Sequence, residues 1–570
     1  MATSTTTLGG TIEKTAEKSD VKLRRKLGTI DLLYLSLGGI IGSGWLYAAY
    51  GAASIAGPAA ILSWIIGGII IIFVALNYAE LGGMLPRSGA IVRYGQYSHG
   101  QLAGYMFGWA YFLSAVSVPS IEALAVIGYA SSYYTVLYNA NTPSTLSTTG
   151  LFFAGLLMVG FFFLNWAGIK LMGKINTGMT WWKLIIPFAT VFALFAAGFH
   201  GANLDTSYQG SNGFMPFGFG PVLQAVAVSG IVFSYLGFRQ ALDYGGEARN
   251  PQKSIPTATI LSVVIGMVLY TLLQMAFVTS LNFSKLGLAP GNWAGLQANA
   301  AGNFLNNAIT TLHAAPFANL ALGAGLVFLT YTLFADAYVS PGGTLNVYLG
   351  TSQRTLYGIG TQGFLPKAFI KVNEKTRIPF VALVTSLVVG LVFLAPFPSW
   401  YKLVGFISSA TVFTYIVGGP ALRVFRKHAP DLKRPFKLPA SVIFSPLAFI
   451  GASLIVFWSG WPLDGYLGIA IFAGLLLFAV LKLAHAIPNT FNAQSIKAGW
   501  WVPVYTIVLI FISYIGDTGL GGRGIIPFPW DDVVVVIIGL VFYFIAVHSG
   551  IKSDEIAEIT GSGTQYLSEE

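Results

Sequence analysis

Long apolar runs separated by short polar stretches recur along the chain from about residue 30 to about residue 550. Most approach the ~20 residues an α-helix needs to cross a bilayer core. Membrane β-strands read instead as ~10-residue segments of alternating polarity, so the pattern predicts helices, whose backbone groups are satisfied within each segment. Spans are expected near 30–53, 59–84, 101–137, 151–169, 175–199, 217–246, 255–282, 317–350, 378–396, 401–424, 439–460, 465–487, 499–516 and 532–550, about fourteen in all. The segment 283–316 carries a weakly amphipathic stretch expected on the outer surface.

Composition agrees with an all-α polytopic membrane protein. Only 9% of residues are charged and 55% are hydrophobic, against ~25% charged in a soluble chain. A net charge of +10 suggests nucleic acid in a soluble protein; here it reads as a topology signal, because cytoplasmic loops are rich in Lys and Arg. With the N-terminus inside, Lys285, Lys402 and Arg523 fall outside, Lys183 and Arg239 fall within spans, and every other Lys and Arg is cytoplasmic. An even number of spans places the C-terminus inside as well. Residues 1–27, ending in Lys22-Leu23-Arg24-Arg25-Lys26, are expected to form a disordered cytoplasmic tail rather than a secretory signal. Residues 553–570 form an acidic cytoplasmic tail. The expected location is the plasma membrane.

Several function classes are excluded. There are no cysteines, hence no disulfide, thiolate metal site or cysteine nucleophile. The six histidines lie near predicted helix ends or in loops, without metal-ligand spacing, and read as interfacial. No cofactor or metal is expected. A phosphate-binding G-x-x-x-x-G-K-[ST] motif is missing, which argues against direct ATP-driven pumping. A T-V-G-Y-G filter is also missing, as is any clustered catalytic set, so the chain is not expected to be an enzyme.

The first span contains Gly38-Gly39-Ile40-Ile41-Gly42-Ser43-Gly44. Glycine tolerates unusual backbone angles and weakens a helix. Unwinding at membrane depth is allowed where the backbone lines a cavity; close helix packing through small residues is the competing explanation. The sixth span offers a second interruption, Phe233-Ser234-Tyr235-Leu236-Gly237-Phe238, followed by Arg239, Asp243 and Glu247. Paired interruptions in corresponding halves point to a transport site between inverted repeats.

These residues carry a family resemblance. Gly39 to Gly44 resembles the first-helix signature of amino acid permeases of the amino acid–polyamine–organocation superfamily. So do Tyr78-Ala79-Glu80-Leu81 with Leu85-Pro86-Arg87-Ser88-Gly89, at the end of the second helix. Phe233 to Phe238, Glu247, Arg249-Asn250-Pro251 and Ile255-Pro256 resemble the sixth helix and its exit. Ser352-Gln353-Arg354, Gly363-Phe364-Leu365-Pro366 and Pro379 resemble the loop after the eighth. The resemblance implies a leucine-transporter-type core of two five-helix inverted repeats over residues 28–430, spans 1–10, working by alternating access. Residues 431–552 then hold additional helices, spans 11–14.

An amino acid zwitterion needs amide donors for its carboxylate and carbonyl acceptors for its ammonium. Half-helix N-termini offer unpaired N–H groups and positive partial charge. The carboxylate is assigned to amides around Gly42, Ser43 and Gly44, and the ammonium to carbonyls of Ile40, Phe233 and Ser234, at the break that includes Gly237. Phe233, Tyr235 and Phe238 are candidate pocket walls, with ordinary packing as the alternative.

Ionisable residues inside a membrane are functional hypotheses by default. Lys183, in the fifth span, matches the place where a lysine in similar permeases replaces a coupling sodium ion. It is a candidate proton carrier or a fixed cation tying helices together. Glu122 and Asp336 are further candidate proton carriers. Arg239 either recognises an acidic substrate side chain or forms an internal salt bridge with Asp243, Glu122 or Asp336; the salt bridge is favoured because intramembrane charges usually pair. Many members of the family it resembles carry an acidic residue after the sixth-helix glycine–aromatic pair, where this chain has Arg239. Glu80 and Asp31 are expected at the cytoplasmic edge, in gating pairs with Arg87 or its neighbours.

The leading expectation is a secondary transporter importing amino acids with protons, within the lipid bilayer. Alternatives are an amino acid exchanger, an amine or polyamine transporter, and a membrane amino acid sensor. No sequence feature identifies an oligomer interface.

Overall fold

The computed structural model describes residues 27–552 and 556, apart from 88, 168, 375, 377 and 488–490. The two terminal tails expected from the sequence lie outside these residues, except for Leu27 and Ile556.

The described chain is mostly helical, and its strands are a small antiparallel pair at Tyr138–Asn139 and Thr142–Leu146. Among the described residues nine helices are long and apolar enough to cross a membrane, or ten if one bent pair counts as a single span. Shorter apolar helices accompany them at Thr29–Ile40, Phe380–Leu394 and Ser441–Phe457. The exterior carries many large apolar side chains, such as Phe192, Phe328, Ile469 and Leu483. An apolar surface of this extent fits lipid rather than water.

The first span is broken. Helix α1 (Thr29–Ile40) ends at the glycine-rich segment, and α2 (Gly44–Ala56) restarts after Ile41–Ser43. Helix α3 (Ala60–Met84) follows a one-turn 3₁₀ segment. Helix α4 (Ala90–Ser131) is the central post: its most apolar window is fully buried, whereas that of the last helix, Trp530–Ser549, is 22% buried. The sequence places this third span at 101–137; the helix starts earlier and absorbs a kink at Gly100, whose φ of 76° suits glycine. Helices α5 (Thr148–Trp166) and α6 (Ile169–Ala197) follow.

The sixth span is also broken, with a bend of 50°. Helix α7 (Phe219–Val228) stops at Ser229–Gly230, where Gly230 has φ 99°, and α8 (Ile231–Tyr235) resumes. A 3₁₀ turn, Leu236–Arg239, leads into α9 (Gln240–Asp243). The sharp bend therefore lies upstream of the expected Phe233–Phe238 interruption, in which Phe233–Tyr235 stay α-helical and Leu236–Phe238 take the tighter 3₁₀ winding. Then come α10 (Pro251–Ser280), the short α11 (Asn307–Ala314) and α12 (Pro316–Gly323), and α13 (Val327–Thr361). The expected span 317–350 merges α12 with α13; they separate at Ala324–Leu326, where Gly325 has φ 79°. Helices α14 (Phe380–Leu394), α15 (Trp400–Tyr415) and α16 (Gly418–His428) precede α17 (Ser441–Phe457), α18 (Leu463–Leu483), α19 (Ala493–Gly499), α20 (Trp501–Ile515) and α21 (Trp530–Ser549). Helix α13 packs most extensively on α4, and α10 on α3.

Glu80 does not pair with Arg87 as a gate. Its buried carboxylate accepts from Arg426 Nε at 2.9 Å and Nη2 at 2.5 Å, and from the Leu438 amide at 2.6 Å, with Arg434 at 3.5 Å. These bonds tie α3 to α16 and the segment after it. Asp31 accepts from the Gly28 amide at 2.8 Å and closes the start of α1. Removing one partner of a buried ion pair strands the other, at a cost of about 3–5 kcal/mol. Glu80→Ala is therefore expected to lower the thermal unfolding midpoint of the purified protein clearly; an unchanged midpoint would refute this anchoring role.

His99 is not interfacial. It is buried beside the Gly100 kink, within 2.7 Å of Ser98 Oγ and 2.8 Å of the Ala546 carbonyl, and it fastens α21 to α4.

Candidate functional site

The two breaks meet. Gly237, in the 3₁₀ turn, lies against Gly39, and a Cβ on Gly39 would stand 3.1 Å from Gly237 Cα. Ser36 fastens the junction, donating to the Phe238 carbonyl at 3.3 Å and accepting from the Ala241 amide at 3.2 Å. All nine predicted substrate residues are buried around this crossing: Ile40, Gly42, Ser43, Gly44, Phe233, Ser234, Tyr235, Gly237 and Phe238. Helix α2 starts at Gly44 with no side-chain cap, so its first turn presents N–H groups without the usual capping partner.

Glu122, from α4, reaches this N-terminus. Its Oε2 accepts from the Ser43 amide at 2.9 Å, and its Oε1 has no hydrogen-bond partner. A Cβ on Gly42 would come 2.6 Å from that same Oε1 and 2.7 Å from Thr344 Oγ1, so only glycine leaves room for both.

Lys183, from α6, points into the same break. Its Nζ donates to the Gly38 carbonyl at 2.7 Å and to Thr344 Oγ1 at 2.8 Å, and Thr344 donates to the Gly38 carbonyl at 3.0 Å. Gly343 allows this approach, since a Cβ there would stand 3.0 Å from Nζ. The lysine thus ties α6, α1 and α13 together and satisfies a carbonyl that the broken helix leaves over. Among the described residues no carboxylate lies within 4.0 Å of Nζ.

Other predicted residues are placed differently. The Ile40 carbonyl already accepts from Tyr270 Oη at 2.8 Å and from the Gly42 amide at 3.0 Å. The Phe233 carbonyl accepts from the Leu236 amide. Tyr235 donates to the Trp64 carbonyl at 3.0 Å and packs on Trp64 and Tyr270, behind the break. Phe238 packs on Tyr415. Asp336 sits on α13 two turns before Thr344, accepting from Trp182 Nε1 at 2.8 Å and Ser340 Oγ at 2.7 Å.

Arg239 forms no salt bridge with Asp243, Glu122 or Asp336 among the described residues. Its Nη1 donates to Ser114 Oγ at 3.0 Å, and its guanidinium lies over the rings of Tyr111 and Tyr348. The Asp243 carboxylate accepts from Tyr111 Oη instead.

Both ends of the site are closed. At one end Trp400 donates to Ser43 Oγ at 2.7 Å, stacks on Tyr47 at 5.0 Å and meets Phe233 edge-on. Beyond this lid lies a cavity of about 330 Å³ whose lining includes Tyr50, Gln297, His313, Tyr401 and Lys402. Burial among aromatic rings pushes the His313 imidazole down to about 3, so it stays neutral at physiological pH. At the other end Arg354 meets Glu247 at 3.4 Å and lies over Tyr244. Backbone bonds between Leu27 and both Glu247 and Arg249, and between Gly89 and Asp243, close that side.

A family model described as amino acid permease matches residues 27–512. The chain belongs to the amino acid permease family. The permease is 38% identical to the glutamate/serine transporter AimA of Bacillus subtilis (strain 168), over 96% of this chain and 98% of that one. It is 34% identical to the aspartate-proton symporter of the same organism, over 94% and 98%. A branched-chain amino acid permease, BcaP, is 24% identical over 83% and 96%. The family belongs to the superfamily that the sequence motifs suggest, and its members here are transporters.

Sequence reasoning missed Thr344, Trp400, Tyr270 and Ser114, which hold the permease's breaks together. Each is an ordinary polar or aromatic residue in an apolar helix. Only Thr344 lies beside a marked sequence feature, the Ser340-Pro341-Gly342-Gly343 run, and α13 runs through it.

Proposed function

We propose that the permease is a secondary active transporter that moves amino acids across the cell membrane by alternating access, driven by protons. Its architecture in this reading is a 5+5 inverted-repeat core over residues 28–430 with further helices after it, about fourteen spans in all, and both termini in the cytoplasm. The distribution of Lys and Arg supports that orientation. The names of two relatives, a glutamate/serine transporter and an aspartate-proton symporter, support small polar and acidic amino acids as the substrate class.

The observation that carries the reading is the Glu122 carboxylate on the Ser43 amide, beside Lys183 in the same break. An arriving substrate carboxylate seeks the N–H groups of this helix start. It meets a buried carboxylate already there, and two like charges cannot share one buried site at low cost. Proton uptake by Glu122 would release the amide to the substrate and balance the added charge. Lys183 would hold the unwound segment of α1, the place of a coupling ion.

Uptake of labelled amino acids into proteoliposomes, with and without an inward proton gradient, tests this. Wild-type uptake should rise with the gradient. Glu122→Gln should retain downhill flux and lose the gradient response. A full gradient response in Glu122→Gln would remove Glu122 from coupling. Gradient-independent uptake that requires internal amino acid would make the protein an exchanger. Lack of any amino acid uptake by folded protein would defeat the transport reading.

A further inference from the structure

Arg239 is fully buried and always charged. Burying a guanidinium is tolerated when its donors are met. Here only Nη1 is used, by Ser114; Nε and Nη2 have no hydrogen-bond partner. The Tyr415 hydroxyl and Gln240 Nε2 are likewise buried without a partner. Tyr415 is among the side chains that act on the Arg239 charge, with Tyr111, Tyr348 and Asp243. Gln240 follows Arg239 in the chain and uses its Oε1 to accept from Thr351 at 2.8 Å. Arg239 Nε and Nη2 and Gln240 Nε2 are thus buried donors without an acceptor. Buried donors left without acceptors favour an anion that supplies them.

Its position relative to the Ser43 amide gives the anion's identity. Ser114, which holds Arg239, and Glu122, which holds that amide, both lie on α4, eight residues or about 12 Å apart along the axis. A glutamate backbone and side chain separate two carboxyl carbons by about 5 Å. A hydrogen bond of about 3 Å at each end brings the reach to about 11 Å, comparable to the separation of Ser114 and Glu122 along α4. Tyr348, on whose ring the guanidinium rests, lies one turn along α13 from Thr344 at the break.

We propose that Arg239 is a specificity-determining residue, pairing through its free Nε and Nη2 edge with the side-chain carboxylate of an acidic amino acid whose α-carboxylate sits at the start of α2. The proposal rests on the transport reading above. Neutral substrates of similar size would leave this charge unpaired and be transported less well.

The test is inhibition of labelled serine uptake by unlabelled glutamate, aspartate and glutamine, in proteoliposomes of wild type, Arg239→Gln and Arg239→Lys. Wild type should favour glutamate over glutamine. Arg239→Gln should cut the apparent affinity for glutamate and aspartate about 100-fold, while serine and glutamine change by no more than a few-fold. Arg239→Lys should recover part of the preference, since it keeps the charge but not the fork. Serine uptake by each variant reports that it is folded. If Arg239→Gln fails to take up serine, serine-induced and glutamate-induced thermal stabilisation of the purified variants replaces the uptake readout. Parallel loss of acidic and neutral substrates would make Arg239 a structural element and overturn the proposal. So would wild-type indifference to glutamate, which would leave amino acid transport itself intact.

Discussion

Lys183→Ala is expected to abolish the response of amino acid uptake to a proton gradient, with at least about a 100-fold loss of gradient-driven rate. The lysine makes two charged hydrogen bonds in the break, to the Gly38 carbonyl and to Thr344. Each such bond contributes about 1.5–3 kcal/mol, and every 1.4 kcal/mol is about tenfold in an equilibrium. Without Nζ the Gly38 carbonyl keeps only Thr344, and the joint between α1, α6 and α13 loosens where the site must open and close. Uptake by wild type and variant, each with and without the gradient, measures the effect. An equal gradient response in both proteins would place Lys183 outside the mechanism. Arg, which carries charge on a larger planar group, should not restore function, because it cannot reproduce the compact ammonium's two bonds to Gly38 and Thr344.

Gly237→Val is expected to be more damaging still, removing uptake and destabilising the fold. A Cβ on Gly237 would run into Ile40 N and Gly39 C and come 2.7 Å from the Ser36 carbonyl oxygen. All three are backbone atoms of α1, so no side-chain rotation relieves the clash. Overpacking of a close-fitted core costs about 1–3 kcal/mol, and here the strain falls on the crossing of the two broken helices. Gly160→Ala in α5 provides the contrast, since a Cβ there has nothing within 4 Å and alanine favours helix. Thermal unfolding and uptake of the two variants side by side decide the matter. A Gly237→Val protein as stable and active as Gly160→Ala would show that the crossing opens widely during function.

The glycine cluster at residues 38–44 was legible as a helix break because its cause is local: successive residues without side chains lose helix stability whatever surrounds them. Lys183 stood out for a similar reason, as a lone charge in an apolar run. The sixth span was read less well. Its aromatic sequence suggests a break at Phe233–Phe238, but the bend falls at Gly230, where a positive φ turns the chain before the short helix Ile231–Tyr235 and the 3₁₀ turn Leu236–Arg239. The choice between a salt bridge and substrate recognition for Arg239 was beyond the sequence, since it depends on which side chains other helices bring to the guanidinium.

The sequence by itself determined the solvent and the element type. A chain so poor in charge and so regularly apolar must place helices in lipid, because unpaired backbone groups are too costly there. Its motifs also determined the family. The tertiary structure alone decided partners. Glu80 meets Arg426 across 346 positions of sequence, and Trp400 meets Ser43 across 357. No local pattern encodes such pairs, since they follow from the angles at which whole helices pack. The same holds for Glu122 on the Ser43 amide: the carboxylate and the broken helix are each visible in the sequence, but only packing α4 against that break joins them into a site.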